Sequence, residues 1–153
     1  MGLFNWFTQE IAIDLGTANT LIIHNGEVVV NEPSIVALNR NNPKEVLAVG
    51  KKALMMHEKT HESIRTVRPL KDGVIADFQA AENMIEGFIN MIDGRRRFFS
   101  HMKMVICIPS GITEVEKRAV FDSADHVDSK ETYLIHEPMA AAIGMGIDVE
   151  EPM

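Results

Sequence analysis

The stretch IAIDLGTANTLIIH, residues 11–24, sets a lone carboxylate and a glycine between two apolar runs. Asp14 closes the first run and Gly16 follows it, a pairing that suits a phosphate site. Glycine lets the backbone come close to a ligand, and successive amide N–H groups in a turn form an anion-binding nest. Thr17, Asn19 and Thr20 add side-chain donors. A carboxylate cannot bind phosphate directly, so Asp14 would hold Mg2+ through its waters, as that ion prefers. A plain hairpin with a polar turn and a solvated Asp14 accounts for the same residues, because short glycine motifs are weak signals.

Three further stretches carry chemistry-bearing residues. HEKTH, His57 to His61, matches the H-E-x-x-H zinc pattern, which needs both histidines on one helix face and a third ligand. Here the stretch is charged, lies near an expected helix end, and has no obvious third ligand, so a solvated surface is the preferred reading. GRRRFFSH sets Arg95, Arg96 and Arg97 beside Phe98 and Phe99. Such a loop suits an anionic membrane surface, with Phe inserted and Arg on headgroups; inward-packed Phe with solvated Arg is the alternative. Leu3, Phe4, Trp6 and Phe7 make a second apolar candidate, either membrane-facing or packed on the first strand, and two weak anchors hold better than one. Cys107, between Ile106 and Ile108, reads as a buried structural thiol.

The elements that would position these groups follow from periodicity. Strands are expected at Ile11 to Asp14, Thr20 to His24 and, after a tight Asn25-Gly26 turn, Glu27 to Val30. PSIVALN and EVLAVG are strand-like and KKALMMHEK suits a short helix, while VRPLKDGVIADF reads as irregular. Phe78, Ala81, Met84, Ile85, Phe88, Ile89 and Ile92 recur at helical spacing, with a glycine stop near Asp93-Gly94. KMVICIP is a continuous apolar strand, suited to a sheet covered on both faces. Thr113 and Glu116 have capping-box spacing and open a helix to about His126; ETYLIHE is a strand, and Pro138 starts a last helix. Three strands, an insertion, then alternating helices and strands define an α/β chain with a parallel arrangement in its second half.

Composition limits the partners. The 153 residues suffice for a real core, and the net charge of -7 argues against a nucleic-acid binder. A single cysteine excludes an internal disulfide and points to a reducing, cytoplasmic setting. No apolar run approaches the ~20 residues of a membrane span. The N-terminus lacks a signal peptide's basic start and long apolar region, and Trp6 breaks the myristoylation pattern.

The glycine turn resembles the first phosphate loop of the actin, Hsp70 and sugar-kinase superfamily, most closely that of the MreB bacterial actins. NEPSIVAL, AVG, RPLKDGVIADF, ICIPSGITEVEKRAV and HEPMAAAIG resemble that family in the same order, over nearly the whole chain. The resemblance implies a ribonuclease-H-like, actin-type ATPase core at 10–30 and 74–153, a small inserted subdomain at 31–73, and an N-terminal arm at 1–9. It implies that Asp14 organises the water shell of Mg2+, that Gly16, Thr17, Ala18 and Asn19 cradle the phosphates of ATP, and that Glu137 orients the water attacking the γ-phosphate. Without it, Glu137 is only a strand-end acid favoured by a helix N-terminus. His136 departs from the acid the family favours before this Glu. The resemblance also implies membrane contact through Phe98 and Phe99, and as partners further copies in a filament, the cytoplasmic membrane's inner face and the cell-wall elongation machinery. The family's second phosphate loop does not occur before Met153, so the chain reads as an N-terminal fragment that alone binds ATP poorly and hydrolyses it hardly at all. An Hsp70-like or sugar-kinase ATPase, and a non-enzymatic membrane- or filament-binding module, are the rival readings.

Overall fold

The computed structural model describes residues 9–59, 62–92, 102–126 and 129–149. Among the described residues, ten strands and four helices follow one another as β1 (Gln9–Leu15), β2 (Asn19–His24), β3 (Glu27–Pro33), β4 (Val36–Asn39), β5 (Val46–Val49), α1 (Gly50–Glu58), β6 (Ile64–Val67), β7 (Leu70–Lys71), β8 (Val74–Ile75), α2 (Phe78–Met91), β9 (Met102–Ile108), α3 (Glu114–His126), β10 (Ser129–His136) and α4 (Glu137–Gly144).

The main sheet has the order β10-β9-β1-β2-β3. β1, β2 and β3 form the expected antiparallel meander, and β1, β9 and β10 run parallel. Asn25 and Gly26 both have positive φ (51° and 83°), the two-residue turn that matches strand twist. Alternation decides which face is buried. Ile11, Ile13, Ile22, Met104 and Ile106 point into the core, where Met84, Ile85 and Phe88 of α2 and Val120 of α3 meet them. Each such side chain contributes about 1.5–3 kcal/mol on burial. Asp77 starts α2 by accepting from the Ala80 N–H at 3.0 Å. Thr113 and Glu116 form the expected reciprocal box: the Thr113 N–H donates to Glu116 (2.7 Å), and the Glu116 N–H donates to the Thr113 hydroxyl (3.3 Å). The glycine stop expected after α2 lies outside the described residues.

A second sheet, β5-β4-β6, takes its strands from Val36–Val67. Ile35 and Ala37 pack with Ala53 of α1, while Val36 and Leu38 pack with Ala80 of α2. Glu32 at the end of β3 accepts from the Lys51 N–H (2.7 Å), capping α1 from the main sheet.

Three expectations fail. The stretch around Pro69 is not irregular, because β7 and β8 form a hairpin closed by Asp72 and Gly73, both at positive φ (52° and 75°). Its strands are too short for alternation to show, although the Asp-Gly pair is a hairpin signal. β9 is not covered on both faces: Met104, Ile106 and Ile108 are buried, but the intervening positions are only half-buried. Cys107 occupies one of these and is therefore half-buried.

Candidate phosphate site at the ends of three parallel strands

In an open sheet with parallel strands, ligands collect beyond the strands' carboxyl ends. Here those ends belong to β1, β9 and β10, aligned by the register Asp14↔Cys107↔Ile135. β1 runs into the glycine turn, and β10 runs into Glu137, the first residue of α4, with Pro138 in the first turn. Asp14 and Glu137 are both exposed. Burial pushes the Cys107 thiol above its ordinary range, and the Asp14 and Glu137 carboxylates add to the rise. Asp14 pairs beside Cys107, and Glu137 directly follows the β10 residues that pair beside Cys107 and Ile108, so both acids sit at the same end of the sheet.

The turn has no room to spare. A Cβ at Gly16 would sit 2.5 Å from the Asn19 carbonyl oxygen, so any side chain there forces the turn open. Ser34, directly after β3, grips the turn from behind. Its hydroxyl donates to the Gly16 carbonyl (2.6 Å), and its N–H donates to the Ala18 carbonyl (2.9 Å). The turn's peptide bonds are trans. In a trans peptide the N–H points opposite the carbonyl, so the amides of Thr17 and Asn19 face away from Ser34. Both amides are thus turned to the side of the turn away from Ser34, where main-chain N–H groups can meet an anion. Ser34 also shares a 2.9 Å hydrogen bond with Thr20 Oγ1, and both side chains are fully buried.

The hairpin tip between β7 and β8 reaches the same turn: the Gly73 N–H donates to Thr17 Oγ1 at 3.0 Å. With its oxygen accepting, the Thr17 hydroxyl keeps its proton for another acceptor. Ser34 carries no local sequence signal, and the Asp72-Gly73 pair signals only its own turn, since both contacts with the phosphate turn span distant parts of the chain. Gly16, Thr17 and Ala18 form the turn, Asn19 opens β2, and Thr17, Ala18 and Asn19 are exposed.

Of the zinc pattern, His61 lies outside the described residues; α1 ends at Glu58, Lys59 is extended, and His57 Nδ1 bonds Thr66 Oγ1 at 2.6 Å. The apolar candidates Leu3, Phe4, Trp6 and Phe7, and the loop of Arg95, Arg96, Arg97, Phe98 and Phe99, lie outside the described residues. No helix among the described residues is long and apolar enough to cross a membrane.

A three-strand meander leading into two parallel crossovers, with a glycine turn and an acid at the strand ends, defines the ribonuclease-H-like core of the actin-type fold. Comparison with known proteins agrees. The family model described as MreB/Mbl protein matches residues 8–153. The cell shape-determining protein MreB of Escherichia coli K12 is 45% identical over 149 residues, covering 95% of this chain and 43% of that protein. The cell shape-determining protein Mbl of Bacillus subtilis 168 is 48% identical over 147 residues, covering 95% and 44%. MreB5 of Spiroplasma citri bound to ADP superposes with a TM-score of 0.78 at 38% identity, covering 95% of this chain and 43% of that one. The MamK double helical filament, at 18% identity and a TM-score of 0.74 over 91% and 44%, shares the fold. The chain belongs to the MreB/Mbl family, and it spans less than half the length of the relatives it matches.

Proposed function

We propose that this chain carries one half of an ATP-binding clamp in a bacterial actin-like protein that assembles into membrane-associated filaments and directs cell-wall synthesis and rod shape. One observation carries the reading: the Ser34-held turn and the exposed Asp14 and Glu137 gather at the carboxyl ends of β1 and β10. The likeness to MreB5, solved with ADP and with AMPPNP, supports it.

In this reading the amides of Thr17 and Asn19 and the Thr17 hydroxyl donate to phosphate oxygens, while Gly16 and Ala18 keep the backbone close. The donor chemistry fits Mg2+, because Asp14 is an exposed hard oxygen ligand. Among the described residues no three acidic, His or Cys side chains are gathered as a cage, so Asp14 would hold the ion through water. When bound, Mg2+ offsets phosphate charge. Glu137 accepts a proton from the attacking water and orients it toward the γ-phosphate, the usual task of such a carboxylate. Phe98, Phe99 and the adjoining arginines, with Leu3, Phe4, Trp6 and Phe7, would seat the filament on the inner face of the cytoplasmic membrane, where the elongation machinery would meet it.

The test joins this chain to the remaining length of a relative and measures ATP binding and phosphate release. Glu137→Ala is expected to keep binding and slow release by about 10²-fold or more, the lower end for a positioned base. Release at the unmodified rate would remove Glu137 from the mechanism. Phe98→Ser with Phe99→Ser is expected to weaken sedimentation with anionic vesicles; unchanged sedimentation would sink the membrane assignment.

A further inference from the structure

The β7–β8 hairpin carries a cation to the phosphate turn. Leu70 and Ile75 pair across it and are buried, so the next pair, Lys71 and Val74, lies on its solvent face, where both are exposed. The hairpin tip is tied to the turn by the 3.0 Å bond from the Gly73 N–H to Thr17 Oγ1. Gly73 also lies near Pro109, just beyond β9, since a Cβ added to it would come 3.9 Å from that ring. The tip thus sits at the carboxyl ends of β1 and β9. Lys51, Lys103, Lys117 and Arg118 each have a carboxylate within 3.4 Å. Lys71 has no such partner among the described residues, so its ammonium is uncommitted.

The site is short of positive charge. No Lys or Arg occurs between Asp14 and Asn19 or between His136 and Met139, and Asp14 and Glu137 are carboxylates. A phosphate chain, itself anionic, would meet both acids with only amides and hydroxyls in the turn to offset the repulsion. Covalent geometry and the 3.0 Å bond put Thr17 Oγ1 no more than about 9 Å from the Lys71 Cα. An extended lysine stem covers roughly 6 Å, which brings the ammonium within hydrogen-bond distance of a group held by Thr17. We propose that Lys71 binds the phosphate chain, its ammonium donating to the phosphate group that also receives the Thr17 hydroxyl proton. The proposal rests on the clamp reading above. Turn and cation belong to separate elements, so a bound phosphate bridges the turn to the hairpin at a second point beside the Gly73 bond.

The test uses the fusion to the remaining length of a relative and an acyl-phosphate ester of ATP. A lysine amine beside the phosphates attacks the acyl carbonyl, an amide forms, and ATP leaves. Among the lysines of this chain, Lys71 is expected to be acylated at least about tenfold above Lys52 and Lys130, with free ATP suppressing the label. Lys71→Met keeps the stem and removes the charge, and is expected to weaken ATP binding by about tenfold. Lys71→Arg is expected to bind nearly as the parent does, and Lys130→Met, at the far end of β10, to bind unchanged. Acylation spread evenly over the surface lysines, or parent-like binding by Lys71→Met, would overturn the proposal. A Lys71→Arg protein as weak as Lys71→Met would also overturn it, because charge would then not be the cause. A lower melting temperature of nucleotide-free Lys71→Met would assign the ammonium to a carboxylate in the other half of the clamp, again overturning it. A fusion that binds no ATP removes the clamp reading and this inference with it, whereas ATP binding indifferent to Lys71 removes this inference alone. Should the fusion not fold, acylation is read on the chain alone. There Gly16→Val, which forces the turn open, is expected to lose the Lys71 label, and equal or absent labelling in both proteins refutes the proposal.

Discussion

Replacing Ser34 by alanine isolates the contact that shapes the phosphate turn. The substitution removes a 2.6 Å hydrogen bond to the Gly16 carbonyl and a 2.9 Å bond shared with Thr20 Oγ1. Thr20 is fully buried, so no water replaces the lost partner; Gly16 is half-buried, and water restores part of its loss. A buried polar group left without its partner costs about 1–3 kcal/mol, which places the sum near 2–3 kcal/mol. For a chain of this size each kcal/mol moves the melting temperature by about 2–4 °C, so Ser34→Ala should melt roughly 4–12 °C lower. The assay is thermal unfolding of four proteins: the parent, Ser34→Ala, Thr20→Val and the double variant. Removing both hydroxyls leaves no orphan between them, so the double variant should lie well above the sum of the two single losses. A Ser34→Ala protein melting with the parent, or strictly additive losses, would refute the reasoning.

Gly16→Ala places a methyl group against the Asn19 carbonyl and should destabilise by about 1–3 kcal/mol, read by urea unfolding; an unchanged midpoint would show that the turn yields freely. Bonds from the Thr113 N–H and hydroxyl hold the Glu116 carboxyl below its ordinary value. A lowered carboxyl contributes stability above its unfolded value and loses it as pH falls through the folded one. Glu116→Gln should therefore flatten the acid limb of stability against pH, and an identical limb would contradict the capping role. The Cys107 thiol, raised by burial and by Asp14 and Glu137, should alkylate slowly near neutral pH. Asp14→Asn should move its rate profile to lower pH, whereas an unmoved profile would separate the two groups.

The meander was legible because alternation and an Asn-Gly turn coincide over residues long enough to count. The α2 face and the box opening α3 were legible for the same reason, being local patterns read within a few turns. β6 escaped notice: in this edge strand Ile64, Thr66 and Val67 are half-buried and only Arg65 is exposed, so no clear alternation marks it. The β7–β8 hairpin was hidden by strands of two residues each, although its Asp72-Gly73 turn stood in the sequence. Apolar neighbours suggested burial for Cys107, but strand alternation puts it on the opposite face from Ile106 and Ile108. At the site, Asp14 and Gly16 could be picked out by type and place, and Glu137 only through the family resemblance. Ser34 could not, because its work is done on carbonyls brought to it only by the β2–β3 pairing.

The parallel pairing of β1 with β9 sets an order of events during synthesis. β1 can join β2 and β3 almost at once, through short hairpin links. Its other edge waits for β9, since Gln9 pairs with Met102 and the whole second sheet and α2 lie between them. Closing so long a loop costs entropy before any contact repays it, and contacts this distant in sequence form slowly. A ribosome therefore displays Ile11 to Leu15 as an apolar edge unpaired on one side until β9 has emerged, the kind of edge that recruits wrong partners. The strand that leads into the phosphate turn is thus the one most in need of shelter while the protein is being made.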